Sequence, residues 1–125
     1  MRWPGGRIGE FRAVAFGLVL IAIGLAVDLT TGRERWKYAT GMVIGESSPA
    51  VAGGLAYVAD LDGVLHAVET VTGKPRWTFT AKGEIKSSPI VAGDQVLIGS
   101  YDTTLYALDA FSGRIARLLR EEEGL

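Results

Sequence analysis

The chain has 125 residues with a formal net charge of −1, and 48% of its residues are hydrophobic, so by length it forms one domain with ample material for a core. Its 13 basic and 14 acidic residues include no basic cluster with interleaved aromatic residues, so nucleic acid is not an expected partner. It has no cysteine, which excludes disulfide bonds, thiolate zinc sites and cysteine nucleophiles.

The N-terminal segment, residues 1–24, is basic and then apolar. Three arginines precede an apolar run over residues 13–27, which is typical of a secretory signal. The run is shorter than the roughly 20 residues of a membrane span, and its end overlaps the repeat described next. Two interpretations stay open. A signal or membrane anchor would place the protein in the periplasm or on a membrane, whereas a packing element, either paired strands or a covering helix, would suit a cytoplasmic protein.

One pattern occurs three times along the chain. Residues 26–36 read AVDLTTGRERW, residues 67–77 read AVETVTGKPRW, and residues 107–117 read ALDAFSGRIAR. A Ser-Ser-Pro triplet at residues 47–49 likewise returns at residues 87–89. A repeat of about 40 residues indicates stacked copies of one supersecondary unit.

Each copy predicts four short antiparallel strands. Residues 33–40 alternate in character and predict a half-buried strand, while residues 55–59 are almost all apolar and predict a strand buried on both faces. The pairs Gly53-Gly54 and Asp62-Gly63 are typical of hairpin turns. Four strands in about 40–45 residues make one blade of a β-propeller.

The predicted domains follow from this repeat. They are the N-terminal segment 1–24, the repeats over 25–114, and a charged C-terminal tail over 115–125, which is either a degraded strand or a short helix with a frayed end. The repeats comprise a partial blade over 25–45, a full blade over 46–81 and an incomplete blade over 86–119.

The pattern A-x-[DE]-x-x-[TS]-G-[KR]-x-x-W, followed by Ser-Ser-Pro and an apolar hairpin, resembles the pyrroloquinoline-quinone (PQQ) enzyme repeat over about residues 25–114. That repeat builds the propellers of quinoprotein alcohol dehydrogenases, of the propeller lipoprotein of the outer-membrane β-barrel assembly machinery, and of sensor domains of some kinases. The resemblance implies an all-β fold, a partial β-propeller of about two and a half four-stranded antiparallel blades.

The resemblance also implies a structural docking motif, in which the tryptophan of one blade stacks near the glycine of a neighbouring blade. Trp36 would dock at Gly73 or the converse, and Trp77 would dock at the neighbouring Gly32 or Gly113. The motif residues are Ala26, Asp28, Gly32 and Trp36 in the first copy, Ala67, Glu69, Gly73 and Trp77 in the second, and Ala107, Asp109 and Gly113 in the third. The third copy has Arg117 where the others have tryptophan.

For function, the resemblance implies that a quinoprotein enzyme would need a complete propeller, a bound calcium or lanthanide ion and a catalytic aspartate. PQQ and calcium are therefore expected only if the chain is part of such a propeller. The predicted function is a non-catalytic module for protein binding or scaffolding, within a larger or oligomeric propeller. Its partner would be another protein or a second copy, bound through blade faces and strand edges. The alternative is a fragment of a PQQ-dependent alcohol or glucose dehydrogenase.

Other candidate sites are weaker. Residues 60–63 begin like a calcium-binding loop, but the later ligand positions hold Val64, Leu65 and Val71. His66, the only histidine, is interpreted as a packing residue, and the serines of the two triplets as hydrogen-bonding partners of strand ends. No catalytic, cofactor-binding or metal-binding residue is predicted.

Overall fold

The computed structural model describes residues 14–16, 19–22, 25–28, 33–40, 44 and 47–120. These residues form twelve strands, and no helix occurs among them. The first sheet contains β1 (Val14–Phe16), β2 (Val19–Ala22), β3 (Leu25–Asp28) and β4 (Glu34–Lys37); the second contains β5 (Ala50–Ala52), β6 (Leu55–Ala59), β7 (Val64–Glu69) and β8 (Pro75–Thr80); the third contains β9 (Ile90–Ala92), β10 (Gln95–Gly99), β11 (Thr104–Asp109) and β12 (Ile115–Arg120).

Each sheet is an antiparallel meander whose strands lie in chain order. The second and third sheets share one register: Leu55 pairs with Glu69 across β6 and β7, and Gln95 pairs with Asp109 across β10 and β11. Two consecutive glycines, with φ of 60° and 81°, make the tight turn between β5 and β6. The predicted all-β fold of four-stranded antiparallel blades is confirmed.

The largest core lies between the second and third sheets. It is built from side chains of both sheets and of the segment joining them, namely Leu55, Tyr57, Ala59, Leu65, Ala67, Ala81, Ile85, Val96, Ile98, Tyr106 and Leu108. A smaller cluster of Trp36, Ala56 and Val68 joins the first sheet to the second. The second sheet is therefore covered on both faces, and all five residues of β6 are buried, as the apolar run over residues 55–59 predicts.

The sheets extend beyond residues 25–114 at both ends. The strands β1 and β2 pair in order with β3, so the first sheet begins within the segment that the sequence separates from the repeats. Residues 115–120, predicted to be the end of the incomplete blade and the start of the tail, form β12 and pair with β11, because a backbone ladder does not require the missing tryptophan. Residues 1–13 and 121–125 lie outside the described residues.

The described residues contain no helix, and so none that could span a membrane. The described residues of the apolar run 13–27 belong to β1, β2 and β3.

Candidate functional site

A β-bulge at the same place in every repeat sets the tryptophan position opposite a motif alanine. Ala67 pairs with Trp77 across β7 and β8, and the register shifts immediately after Ala67. The same shift follows Ala107, which pairs with Arg117 in the third sheet. A bulge re-aims the neighbouring side chains and increases the local twist. The residue at this position therefore holds an equivalent place whether it is tryptophan or arginine.

The Trp36 side chain lies against the Gly73 turn of the second sheet. Its Nε1–H donates a hydrogen bond of 2.8 Å to the carbonyl oxygen of Thr70, and only 8% of Trp36 is exposed. Gly73 has a φ of 77°, and a Cβ atom on it would lie 2.5 Å from Cγ of Trp36. Position 73 thus favours glycine for two reasons, its left-handed backbone conformation and the close approach of the indole ring.

Trp77 makes the equivalent contact with the third sheet. Its Nε1–H donates to the carbonyl oxygen of Ala110 at 3.0 Å, and the Tyr57 hydroxyl donates to the same oxygen at 3.2 Å. A Cβ atom on Gly113, whose φ is 75°, would lie 2.5 Å from Cδ2 of Trp77. In both described contacts the tryptophan of one sheet lies on the glycine turn of the next sheet along the chain, a direction that the sequence leaves open.

The first copy of the motif is described only in part. Ala26 and Asp28 lie in β3, where Ala26 pairs with Trp36 and Asp28 pairs with Val19. Gly32 lies outside the described residues.

The motif acids hold the turns on which the tryptophans lie. The N–H groups of Gly73 and Gly113 donate to the carbonyl oxygens of Glu69 and Asp109, each at 2.8 Å. The Asp109 side chain adds to this, since its Oδ1 accepts hydrogen bonds from the N–H of Phe111 at 3.0 Å and from the N–H of Ser112 at 2.8 Å. Hydrogen bonds from Ser112, backbone first, lower the pKa of Asp109 below its ordinary value of 3.8.

This lowered pKa predicts a pH dependence that Asp109→Asn should remove. Because the folded-state pKa is depressed, ionised Asp109 contributes stability above its unfolded-state pKa, and that contribution is lost as the pH falls through the folded-state pKa. The wild type should therefore unfold at higher urea concentration than Asp109→Asn at pH 7, and the difference should vanish as the pH falls from about 5 to about 2. The exposed Asp62→Asn variant is the control, and a difference between wild type and Asp109→Asn that stays constant with pH would contradict the assignment.

The serine triplets hydrogen-bond to strand ends within their own sheets. Ser47 Oγ donates to the carbonyl oxygen of Ala59 at 3.3 Å, and Ser87 Oγ donates to the carbonyl oxygen of Gly99 at 3.1 Å. These bonds are equivalent, since each joins the segment before β5 or β9 to the end of β6 or β10. Ser88 Oγ also accepts the N–H of Ser48 at 2.8 Å, which joins the second sheet to the third.

A buried hydrogen-bond chain joins the first sheet to the second. His66 Nε2 lies 2.8 Å from Oδ2 of Asp60, and Nδ1 lies 2.9 Å from the hydroxyl of Tyr38. Because a carboxylate only accepts, Nε2 carries the proton and donates to Asp60. Burial, and then the negative charge of Asp60, raise the pKa of the Tyr38 hydroxyl. The sequence interpretation of His66 as a packing residue missed this chain.

The next interface fills the same place with different side chains. Phe79 and Tyr106 meet edge to face with ring centroids 5.0 Å apart, much as Tyr38 and His66 meet at 5.4 Å. The Tyr106 hydroxyl donates to Asp102. Phe79 follows Tyr38, and Tyr106 follows His66, at the repeat interval. The repeat was therefore the signal that could have predicted His66 beside Tyr38.

The third sheet has one face that no other sheet of the described chain covers. Leu65 is fully buried between the second and third sheets, whereas Leu105, forty residues later, is 41% exposed. Leu119 lies opposite Leu105 in the β11–β12 register and is 39% exposed. Arg117, at the tryptophan position, is also exposed. We call this surface, Leu97, Leu105, Arg117 and Leu119, the open face.

The described residues do not fit the cofactor set of a quinoprotein. Over residues 33–40, 44 and 47–120, no three His, Asp or Glu side chains come together as a metal site. Asp60, which begins the calcium-like stretch, directs its carboxylate to the backbone N–H groups of Asp62 and Val64 and to His66. No chemical step is therefore assigned to calcium or PQQ in this chain.

Comparison with known proteins gives one family and several similar folds. A family model described as outer membrane protein assembly factor BamB matches residues 23–122. The serine/threonine-protein kinase AfsK of Streptomyces griseus is 38% identical over 69 residues, which are 49% of this chain and 9% of the kinase.

Three solved structures share the fold. Europium-containing methanol dehydrogenase is 22% identical with a TM-score of 0.78, over 90% of this chain and 26% of its own. BamB from Moraxella catarrhalis is 22% identical with a TM-score of 0.74, over 88% and 35%. Quinohemoprotein alcohol dehydrogenase ADHIIG from Pseudomonas putida HK5 is 25% identical with a TM-score of 0.76, over 86% and 20%. The chain thus spans about a third or less of each structure.

Proposed function

Because the chain belongs to the PQQ-like repeat propeller family whose model is described as outer membrane protein assembly factor BamB, we propose that it is a non-catalytic module for protein binding or scaffolding. It acts as part of a larger or oligomeric propeller, and the open face of the third sheet receives a further four-stranded sheet of the same repeat type. The exposure of this face is the observation that supports the proposal.

The interface between the second and third sheets indicates what such a face contacts. On the second sheet, Tyr57 and Leu65 are 2% and 0% exposed because the third sheet covers them. Leu97 and Leu105 hold the equivalent places on the third sheet, where Leu97 is half-buried and Leu105 is exposed. Burying a leucine side chain contributes about 1.5–3 kcal/mol. A sheet that covered the open face would therefore gain a free energy of burial similar to that gained where the third sheet packs on the second.

Arg117 gives the open face a different anchor from the other two interfaces. The indole of Trp77 donates one N–H to a carbonyl oxygen of the next sheet, whereas a guanidinium presents five N–H donors in a fixed fork. The covering sheet would therefore offer Arg117 more than one acceptor, such as a turn carbonyl together with a carboxylate. A glycine turn alone would not supply enough acceptors for the N–H donors of Arg117.

The same proposal places the protein outside the cytoplasm, in the periplasm or at a membrane, since the matching family model is named for an outer membrane assembly factor. The likeness to a quinohemoprotein alcohol dehydrogenase favours a second candidate, a part of a PQQ-dependent dehydrogenase. Dye reduction by the chain after addition of PQQ and calcium would support that second candidate, whereas its absence is the result expected of a scaffold module.

Self-association of the full chain tests the proposal, because in isolation a second copy is the available partner. Sedimentation velocity should show association that rises with concentration. The double variant Leu105→Lys/Leu119→Lys should weaken it more than about tenfold, since a buried unpaired charge costs several kcal/mol. Val71→Lys, on a turn residue that is 73% exposed, is the matched control and should leave association unchanged. A wild-type monomer at the highest soluble concentration, or equal weakening by the two variants, would contradict the proposal.

A further inference from the structure

A cleft opens between the second and third sheets, on the side of the third sheet opposite to the open face. It lies where the β5–β6 turn of one sheet meets the β9–β10 and β11–β12 turns of the other, and it encloses about 220 Å³. Its wall is mostly apolar and includes Leu55, Tyr57, Val91, Ala110 and Phe111. The cleft is therefore a pocket between two blades, apart from the face that the proposed function uses.

Two acidic residues, Asp94 and Asp109, are among those that line this cleft. The carbonyl oxygen of Asp94 accepts the N–H of Ala110 at 2.8 Å, so the turns that carry the two acids are tied to each other. The Asp109 carboxylate is held in place by the N–H groups of Phe111 and Ser112. The two acidic residues therefore lie on turns that are tied to each other.

The Arg76 side chain contacts the Phe111 wall of the cleft and is paired with Glu69. The Arg76 guanidinium lies 4.7 Å from the centre of the Phe111 ring, and its Nη2 lies 3.4 Å from Oε2 of Glu69. The field of Asp109 reaches the interior of the cleft: burial, then the negative charge of Asp109, raise the pKa of the Tyr57 hydroxyl against a smaller opposing effect of Arg76. Because Arg76 is paired with Glu69, Asp94 and Asp109 lie at the cleft without an ion-pair partner among the described residues.

We propose that this cleft binds a small organic cation, an ammonium group carried on a compact aromatic or branched aliphatic group. The apolar part would enter between Leu55, Val91 and Phe111, and the ammonium would lie between Asp94 and Asp109. The size agrees, since a cavity of about 150 Å³ accepts benzene while drug-sized ligands occupy about 300–1,000 Å³. A neutral or anionic ligand of the same shape would leave the two carboxylates without a counter-charge.

Titration of the full-length, ¹⁵N-labelled chain with 2-phenylethylammonium tests this proposal. Saturable chemical-shift changes are expected at the amides of Gly53, Gly93 and Ala110, with a Kd of the order of 1 mM, as a ligand of so few atoms allows. The same ring without charge, 2-phenylethanol, and with the opposite charge, phenylacetate, should bind at least about threefold more weakly.

Two variants locate the charge that matters. Asp94→Asn should weaken binding of 2-phenylethylammonium by about threefold, whereas Asp62→Asn, which removes one charge at the β6–β7 turn, should leave it unchanged. Both positions are exposed, so both variants should fold. Equal affinity for 2-phenylethanol would overturn the proposal, as would the absence of saturable shifts at the cleft. Neither result would depend on whether the open face associates.

Discussion

Trp36→Ala is expected to lower the free energy of unfolding by about 3–5 kcal/mol, the usual cost of truncating a buried tryptophan. Trp36 joins the first sheet to the second through its ring contact with Gly73 and its hydrogen bond to Thr70. Its removal also leaves the carbonyl oxygen of buried Thr70 without this donor, which adds to the cost. A loss of this size is a large fraction of the about 5–15 kcal/mol by which a domain is stable.

Urea unfolding followed by circular dichroism measures this loss. Tyr101→Ala is the control, because Tyr101 is an aromatic residue of the third sheet that is 65% exposed. It should change the free energy of unfolding by less than about 1 kcal/mol. If Trp36→Ala cost no more than Tyr101→Ala, the indole would not hold the two sheets together.

Gly73→Ala is expected to cost about 1–3 kcal/mol more than Gly93→Ala. Both glycines have positive φ, 77° at Gly73 and 62° at Gly93, so both substitutions carry a similar backbone strain. They differ in what the new methyl group meets: at Gly73 it would lie 2.5 Å from Trp36, and at Gly93 nothing lies within 4 Å. The difference between the two variants thus isolates the contact with the indole.

The midpoints of urea unfolding of these two variants, compared with that of the wild type, give the two costs. Gly93→Ala should cost about 1 kcal/mol, as expected of strain alone. Equal costs at the two positions would show that the Trp36 ring yields to the methyl group without loss, contrary to the close packing described here.

Much of this fold is readable from the sequence because its signals are local. The glycine pairs fix the hairpins, and the continuous apolar run over residues 55–59 predicts a strand covered on both faces, which β6 is. The repeat interval then relates each sheet to the next. The hairpins and the buried strand need only turn chemistry and side-chain pattern, and both act within a few residues of the chain.

The docking direction and the hydrogen-bond chain depend on contacts between sheets. Trp36 could have packed forward or backward on chemical grounds, and the order of the sheets in space decides which turn it meets. His66 reads as a strand residue, yet the fold brings it between Asp60 and Tyr38. When side chains of two sheets meet, the sequence of neither strand indicates the contact, except that both residues recur in the repeat.

The exposed fraction of a side chain likewise depends on which sheets lie beside it. Leu65 and Leu105 are the same residue at the same repeat position, and one is fully buried while the other is 41% exposed. The difference arises because the third sheet covers Leu65 of the second sheet, whereas no described sheet covers the open face of the third sheet. Residues 115–120 show the converse, since the tryptophan position holds Arg117, while the backbone of that segment pairs with β11 on both sides of the β-bulge.

A double-mutant cycle at Trp36 and Gly73 measures directly whether the tryptophan of one sheet rests on the glycine turn of the next. The free energies of unfolding of the wild type, Trp36→Ala, Gly73→Ala and the double variant are compared. Once the indole is absent, Gly73→Ala should cost only about 1 kcal/mol, like Gly93→Ala, which gives a coupling energy of about 1–3 kcal/mol. Costs that add within about 0.5 kcal/mol would contradict the docking of successive sheets through this pair.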